Sequence, residues 1–559
     1  MADDTSFENE TARDQLFGRA YDARMATFLS RRGLLRLATA GAGAATLSPL
    51  LGGRAEAIAP SADVRPALRL RQEGTTIVVG LEADPRGIEP AVTYDFTASQ
   101  VANQISEPLL LIADDGSLLP HLAETFEQPD PLTYVYTLRQ GVKFHDGSTL
   151  AAADVIASVE RVRTPDIASP MAWMFDPVAS IEATGDMELT VKLKTPSAQF
   201  QFVPAVSAMA VMPKAFIDTL GTEYSRAPIG TGPYKMVSWD AGSRIELAKH
   251  TEYWQDGKPF FDRAVYQIVP EGTTRVTGLS TGDLQVVREI PPDQLSVVRA
   301  LPEVNLQEVV GYTINLVFMR NDRPPFDDPK VRQAVSYAID VDSLMTNLVG
   351  ELGVRARSTT VPPNMPDSAT DELEFVPFDL DKARQLLSES SQPDGFSTTL
   401  IVDSESELRV AEAVAIQEML QEIGVQVEIN QLPSADRLTL YQSGEYEGMG
   451  FWEWGSDFPD ANGMLLPAFL STSAPPQNNQ SFYSNPKVDA LLSGADAEAD
   501  PEKRSQMLID AQKLIAVDMP VIWLDHYKWF FAVDKAYGGY TIRPLYYWDA
   551  WLRNMAPVE

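Results

Sequence analysis

Glu407-Leu408-Arg409-Val410-Ala411-Glu412-Ala413-Val414-Ala415-Ile416-Gln417-Glu418-Met419-Leu420-Gln421 leads through Gly424 into Val425-Gln426-Val427-Glu428-Ile429, and this stretch decides the fold. The first part, taken to Ile423, repeats apolar residues at helical spacing and is expected to turn Val410, Val414 and Leu420 inward. Gly424 is placed to end it, since glycine enters the left-handed backbone of a helix C-cap without steric cost. The second part alternates strictly, as a strand with one buried face does. Helix, glycine and strand in this order form an α/β unit.

The surrounding chain reads the same way. Thr76 to Leu81 is β-branched and bounded by Asp84-Pro85, so it is expected to be a strand. Tyr134 to Leu138 alternates as a half-buried strand, and Ile181 to Leu193 holds two strands around Gly185-Asp186. Helical spacing marks Ala98 to Leu111 and Asp154 to Val162. A third helix, Asp379 to Glu389, has an Asp cap and Ala383, Leu386 and Leu387 on one face.

At 559 residues the chain exceeds what one hydrophobic core organises, so two or three domains are expected. Its apolar content of 44% and charged content of 22% are those of a globular protein. A formal charge of −33 argues against nucleic acid and anionic membrane surfaces as partners, because both bind through an excess of Lys and Arg. The chain has no cysteine, which excludes disulfides, thiolate metal sites and a lipid-modified cysteine anchor. Its four histidines (His121, His145, His250, His526) are scattered, and no metal site or cofactor is expected. No HExxH, P-loop or GxSxG pattern occurs, so no catalytic residues are assigned.

Ser30-Arg31-Arg32-Gly33-Leu34-Leu35 resembles a twin-arginine export motif. A weakly apolar stretch from Leu37 to Leu51 follows, too short and too rich in small residues to anchor in a bilayer. Ala55-Glu56-Ala57 then supplies a cleavage pattern. Seven basic and seven acidic residues lie within 1–57, so removing them leaves the charge at −33. The expectation is an exported, periplasmic protein.

A series of motifs runs down the rest of the chain. Leu119-Pro120-His121-Leu122-Ala123-Glu124 is followed by Gly141-Val142-Lys143-Phe144-His145-Asp146-Gly147-Ser148 and Gly230-Thr231-Gly232-Pro233-Tyr234. Lys249-His250-Thr251-Glu252-Tyr253-Trp254 comes next, then Pro325-Phe326-Asp327-Asp328-Pro329-Lys330-Val331-Arg332-Gln333-Ala334 and Trp454-Gly455-Ser456-Asp457-Phe458-Pro459-Asp460. In number and order these resemble the family 5 extracellular solute-binding proteins, the dipeptide, oligopeptide and nickel binders of ABC importers. The resemblance runs from about Thr76 to Met555. It departs at His250-Thr251, where relatives carry Asn-Pro. Most of these residues have structural readings. Gly147 and Gly232 suit turns with special backbone angles. Asp154 suits a helix cap, and Asp328 with Arg332 suits an ion pair along a helix.

The resemblance implies an α/β fold of the periplasmic-binding-protein type, two lobes with a hinge, in the large three-domain variety. It places the signal region in 1–57, domain I in 65–112, 200–308 and 525–559, domain II in 113–199 and domain III in 309–524. It also implies a monomer that encloses a small-molecule or peptide ligand and works with an ABC permease and its ATPase subunits. Asp457 is expected to pair with a ligand ammonium. Trp454 and Trp452 are expected to form an aromatic wall, where a Trp face also favours a cation. Tyr312 and Asn315, on the expected hinge strand, are further ligand candidates, and Glu82 to Tyr94 is a cleft-edge candidate. Dipeptide binders of the family carry an Arg-Pro-Tyr clamp for the ligand carboxylate. Val402-Asp403-Ser404-Glu405-Ser406 stands there instead, acidic and without Arg, although Arg409 is near. Strict dipeptide specificity is therefore not expected. Longer peptides, opines, oligosaccharides and nickel complexes stay open as ligands, with a hydrolase or a receptor partner as readings of other classes.

Overall fold

The computed structural model describes residues 75–93, 96–545 and 552–558. The twin-arginine motif at Arg31-Arg32, the cleavage pattern at Ala55 to Ala57, and Tyr94 lie outside them.

The chain enters through β1 (Thr76–Leu81), whose Ile77, Val79 and Leu81 are fully buried. Helix α1 (Phe96–Ala102) follows. The expected continuation of this helix to Leu111 does not form. The carbonyls of Gln104 and Ile105 accept from Tyr234 and Gly232 N–H instead of from the next helical turn, and Pro108 disfavours helix at Glu107. The chain then forms a short hairpin, β2 (Leu110–Ile112) and β3 (Leu118–Pro120). A separate four-stranded antiparallel sheet comes next, from β4 (Ala123–Asp130), β5 (Thr133–Leu138), β6 (Val178–Gly185) and β7 (Glu188–Leu193) in the order β4-β5-β7-β6. Helix α2 (Ala152–Arg163) lies between β5 and β6. Asp154 sits inside its first turn and reaches back to accept from the Ala151 N–H at 2.9 Å.

From β8 (Tyr234–Asp240), β9 (Arg244–Lys249), β10 (Arg263–Ile268) and β11 (Val286–Arg288) the chain returns to the sheet of β1. Gly232 leads into β8 without a positive φ. Its missing side chain is needed for close approach, because a Cβ there would stand 2.4 Å from the Gln104 carbonyl oxygen. Gly147, by contrast, has the left-handed angle expected of it, φ +87°.

Strands β12 (Val304–Val310) and β13 (Thr313–Met319) are separated by Gly311 and Tyr312. Helix α3 (Pro329–Tyr337) follows. The expected ion pair along it is not made. Asp328 caps the helix through the Lys330 N–H, while Arg332 is buried and donates to the carbonyls of Phe326 and Asp518. Next come β14 (Gly353–Arg355), α4 (Leu380–Ser388), capped by Asp379 as expected, and β15 (Phe396–Asp403). Helix α5 (Glu407–Gln421), β16 (Val425–Leu432) and β17 (Met449–Gly455) follow. Gly424 has φ +83°, the cap geometry expected between α5 and β16. Val414 points outward at 42% exposure, because the buried face of α5 runs through Leu408, Ala413, Ile416 and Leu420. The chain closes through α6 (Ala461–Phe469), α7 (Pro486–Ala497), α8 (Pro501–Asp518) and the long strand β18 (Val521–Asp534).

β18 joins the two halves of the molecule. Its first part pairs with β13 and β14, in a sheet ordered β16-β15-β17-β13-β18. Its second part pairs with β12 and β11, in a sheet continuing β18-β11-β1-β10-β9-β8. The fold is thus α/β with two lobes, crossed only by β18 and the β12–β13 connection among these strands. The four-stranded sheet is inserted into the first lobe, since the chain leaves that lobe after β1 and α1 and rejoins it at β8.

Candidate functional site

Strand directions locate the site. β18 runs from the second lobe into the first. In the first lobe β11 is antiparallel to β18, and β1 and β10 run parallel with β11, so their carboxyl ends point towards the second lobe. In the second lobe β13 is antiparallel to β18, and β17 is antiparallel to β13. β15 and β16 run with β17, so their carboxyl ends point towards the first lobe. Open α/β sheets receive ligands outside the carboxyl ends of their strands. Here two such edges confront each other across a hinge.

On the second-lobe edge the five sequence candidates come together at one strand pair, with Asn315, Trp452 and Trp454 on it, Tyr312 just before β13 and Asp457 just after β17. Ile314 stands opposite Trp454, Asn315 opposite Glu453, and Leu316 opposite Trp452, while the Ser456 N–H donates to the Tyr312 carbonyl at 3.0 Å. Asp457 follows β17 in a bend and is half-buried. Trp454 is half-buried, with its indole N–H on the Met464 carbonyl at 3.1 Å. Trp452 stands edge-on to Tyr441, its indole N–H buried without an acceptor. Tyr312 and Asn315 are 4% and 5% exposed. The Tyr312 hydroxyl donates to the Asn364 carbonyl at 3.3 Å, and burial pushes it up to about 12.

Behind this pair lies a buried charge network that the sequence did not disclose. Arg409, in the first turn of α5, donates to Glu412 at 2.6 Å and to Glu453 at 3.2 Å. The Asn315 amide donates to Asp525 at 2.9 Å. One oxygen of Glu412 and one of Asp525 have no hydrogen-bond donor. Burial pushes Asp525 up to about 7 against the pull of Arg409, and burial also raises Glu412. The only sequence signal was the spacing of Arg409 and Glu412, three apart on a helix. Glu453 and Asp525 reach them from distant strands. Asp403 is also engaged, accepting from the Ser434 hydroxyl at 2.5 Å and the Glu405 N–H at 2.8 Å.

The first-lobe edge carries Glu82 after β1 and Arg288 and Glu289 at the end of β11. The Thr97 hydroxyl donates to Glu82 at 2.5 Å, and the fully buried Arg288 lies 3.9 Å from Glu82 and 3.6 Å from Glu289. Glu289 has φ +50°, a rare conformation for a residue with a side chain and one that tends to concentrate at functional sites. Glu82 lies in the stretch expected at the cleft edge; Arg288 and Glu289 belong to no motif and were not anticipated. Among the described residues no cluster of His, Asp or Glu is placed to hold a metal ion, and no helix is long and apolar enough to cross a membrane.

A hinged pair of α/β lobes with facing carboxyl-end edges defines a binding protein that closes on its ligand. Residues 117–476 match the model of the bacterial extracellular solute-binding proteins, family 5 (middle region), and the chain belongs to that family. It is 30% identical over 480 residues to the glutathione-binding protein GsiB of Pectobacterium atrosepticum, covering 84% of this chain and 91% of that one. Among solved structures it is similar to a dipeptide-binding protein of Pseudoalteromonas in complex with Met-Leu, with TM-score 0.71, 25% identity and coverage of 86% and 100%. It is equally similar to AgaA of A. tumefaciens in complex with agropinic acid, with TM-score 0.71, 25% identity and coverage of 87% and 99%.

Proposed function

We propose that this chain is the periplasmic capture component of an ABC importer. It takes a peptide-like solute bearing a free ammonium, a glutathione-sized peptide first among the candidates, and hands it as a monomer to a permease driven by ATPase subunits. The twin-arginine motif at Arg31-Arg32 is part of this reading, as is the assignment of 65–112, 200–308 and 525–559 to domain I, 113–199 to domain II and 309–524 to domain III. The protein carries its ligand without chemical change.

The observation that carries the proposal is the confrontation of two strand-end edges rich in carboxylates. Asp457 at the end of β17 is the proposed ammonium partner, because a charge-assisted hydrogen bond is roughly twice as strong as a neutral one. Trp454 supplies the adjoining aromatic face. Similarity to GsiB supports a peptide of glutathione's size. The similarity to AgaA, whose structure holds agropinic acid, supports an opine as the second reading.

The test is thermal unfolding of the mature protein, stripped of ligand, against reduced glutathione, Met-Leu, longer peptides, opines, oligosaccharides and nickel chelates. A ligand at one hundred times its Kd adds roughly 2.7 kcal/mol, a readable shift. Stabilisation by peptides with a free amine supports the proposal. Stabilisation by opines, sugars or chelates alone refutes the ligand class.

A further inference from the structure

The residue after Asp457 leaves its own lobe. Phe458 is 2% exposed, and its ring centroid lies 6.0 Å from that of Phe202 and 6.4 Å from that of Trp173. Both partners stand on the first lobe's side, Trp173 in the insertion that this lobe carries and Phe202 just past its end. Trp173 stands in the turn Ala172–Phe175 before β6, and Phe202 in the turn Gln199–Ala205 that follows β7. Phe458 therefore bridges the cleft, seated in an aromatic notch of the opposite lobe. Its neighbour supports the same crossing. A Cβ built on Gly116, in the β2–β3 turn, would lie 3.3 Å from Pro459 and 3.3 Å from Pro366 of the second lobe. A backbone bond, Ala198 N–H to the Asp496 carbonyl at 2.8 Å, lies along the same seam.

We propose that Phe458 is a positioning residue for ligand capture, a key whose seating between Phe202 and Trp173 holds the lobes closed and sets Asp457 at the cleft. Opening the hinge withdraws the ring and exposes it with Phe202, which apolar burial opposes. The segment is short and held at both ends. The Phe458 N–H donates to the Ser456 hydroxyl at 3.2 Å, and its carbonyl accepts from the Asp460 N–H at 2.8 Å. A change in how Phe458 seats therefore passes directly to Asp457. Because the key grips the other lobe and not the ligand, it acts through the closed population. Apparent affinity scales with that population, so its loss weakens every ligand by the same factor.

This inference rests on the capture function proposed above, and two experiments separate their failures. The chain has no cysteine, so a Phe458→Cys, Phe202→Cys double variant carries the only two thiols. A short bifunctional thiol crosslinker joins them if the lobes meet as described. No crosslink, with or without glutathione, overturns the proposal. In the second experiment, Phe458→Ala and Phe202→Ala are titrated with reduced glutathione and with Met-Leu. Each variant is expected to lose about 10- to 100-fold in affinity, by the same factor for both probes. The double variant should be little weaker than either single one, and Phe458→Leu should recover part of the loss. Factors that differ between probes, or that multiply in the double variant, overturn the proposal. If neither probe binds the unmodified protein, the peptide reading fails and the crosslink alone decides the closure contact.

Discussion

Asn315 on β13 and Asp525 on β18 are cross-strand partners joined by a 2.9 Å hydrogen bond, and they form the pair of β13 and β18 that lies nearest the first lobe. Around them stand Arg409 and Glu412 from α5, Glu453 from β17, and Arg355 as the register partner on β14. Gly353 clears the space, since a Cβ there would stand 2.5 Å from a carboxylate oxygen of Asp525.

Asp525 gives stability a pH dependence of known sign. Its carboxyl is raised to about 7 in the folded state, from 3.8 unfolded. Between those values the folded state keeps a proton that the unfolded chain has lost. Stability from this group is therefore full at low pH, declines as pH rises towards about 7, and is level above it, a total of up to ~4 kcal/mol. Asp525→Asn should flatten that decline in melting curves taken from pH 5 to pH 8. An unchanged slope would remove Asp525 as its source.

Glu107 has the opposite sign. It is fully buried and accepts from Tyr253 at 2.6 Å, Thr231 at 2.9 Å, Trp254 at 3.0 Å and Arg553 at 3.0 Å, with His121 at 2.9 Å. Burial opposes its charge, yet His121, Arg553 and Tyr253 hold it down to about 2, from 4.5. Its contribution is present above about pH 4.5 and is lost as pH falls towards 2. Glu107→Gln breaks a buried pair with Arg553 and should destabilise by about 3–5 kcal/mol at pH 7, read as a lowered denaturation midpoint.

Two glycines between the second-lobe strands should differ. Gly395 and Gly424 both have left-handed φ, +84° and +83°. A Cβ on Gly395 would stand 2.2 Å from the Gly424 carbonyl oxygen, whereas one on Gly424 meets nothing nearer than 3.8 Å. Gly424→Ala should cost about 1–2 kcal/mol for the backbone alone. Gly395→Ala adds a backbone clash and should cost more. Equal shifts in Tm would contradict the clash.

Asp457→Asn keeps the shape of the side chain and removes its charge. Binding of glutathione or Met-Leu should weaken roughly 10- to 100-fold, while N-acetylated forms of the same peptides should respond equally weakly to both proteins. Calorimetric titration of the four combinations measures this. An equal loss for acetylated and free peptides would assign Asp457 a structural role.

Much of the secondary structure was legible because its signals are local. The alternation of Tyr134 to Leu138, the Asp379 cap and the Gly424 terminus each depend on a few adjacent residues. The misreadings came where distant groups intervened. The carbonyls of Gln104 and Ile105 accept from Tyr234 and Gly232 respectively, which ended α1 early. The side chains of Asp328, which caps α3, and Arg332, four residues on, were drawn to separate backbone partners and made no ion pair.

The sequence by itself determined the α/β character, the family and the motif that holds Trp454 and Asp457, because motif order and periodicity are properties of neighbouring residues, whereas the pairing of β13 with β17 that brings Asn315 beside them came with the fold. Only the tertiary structure decided that the carboxyl ends of both sheets confront each other, since that follows from the direction of each strand relative to β18. It also decided that Arg409 is committed to Glu412 and Glu453 and that Phe458 crosses to Phe202 and Trp173. The physical reason is the same in each case. Burial and charge pairing depend on distance in space, and residues 409, 453 and 525, or 202 and 458, become neighbours only when the chain has folded.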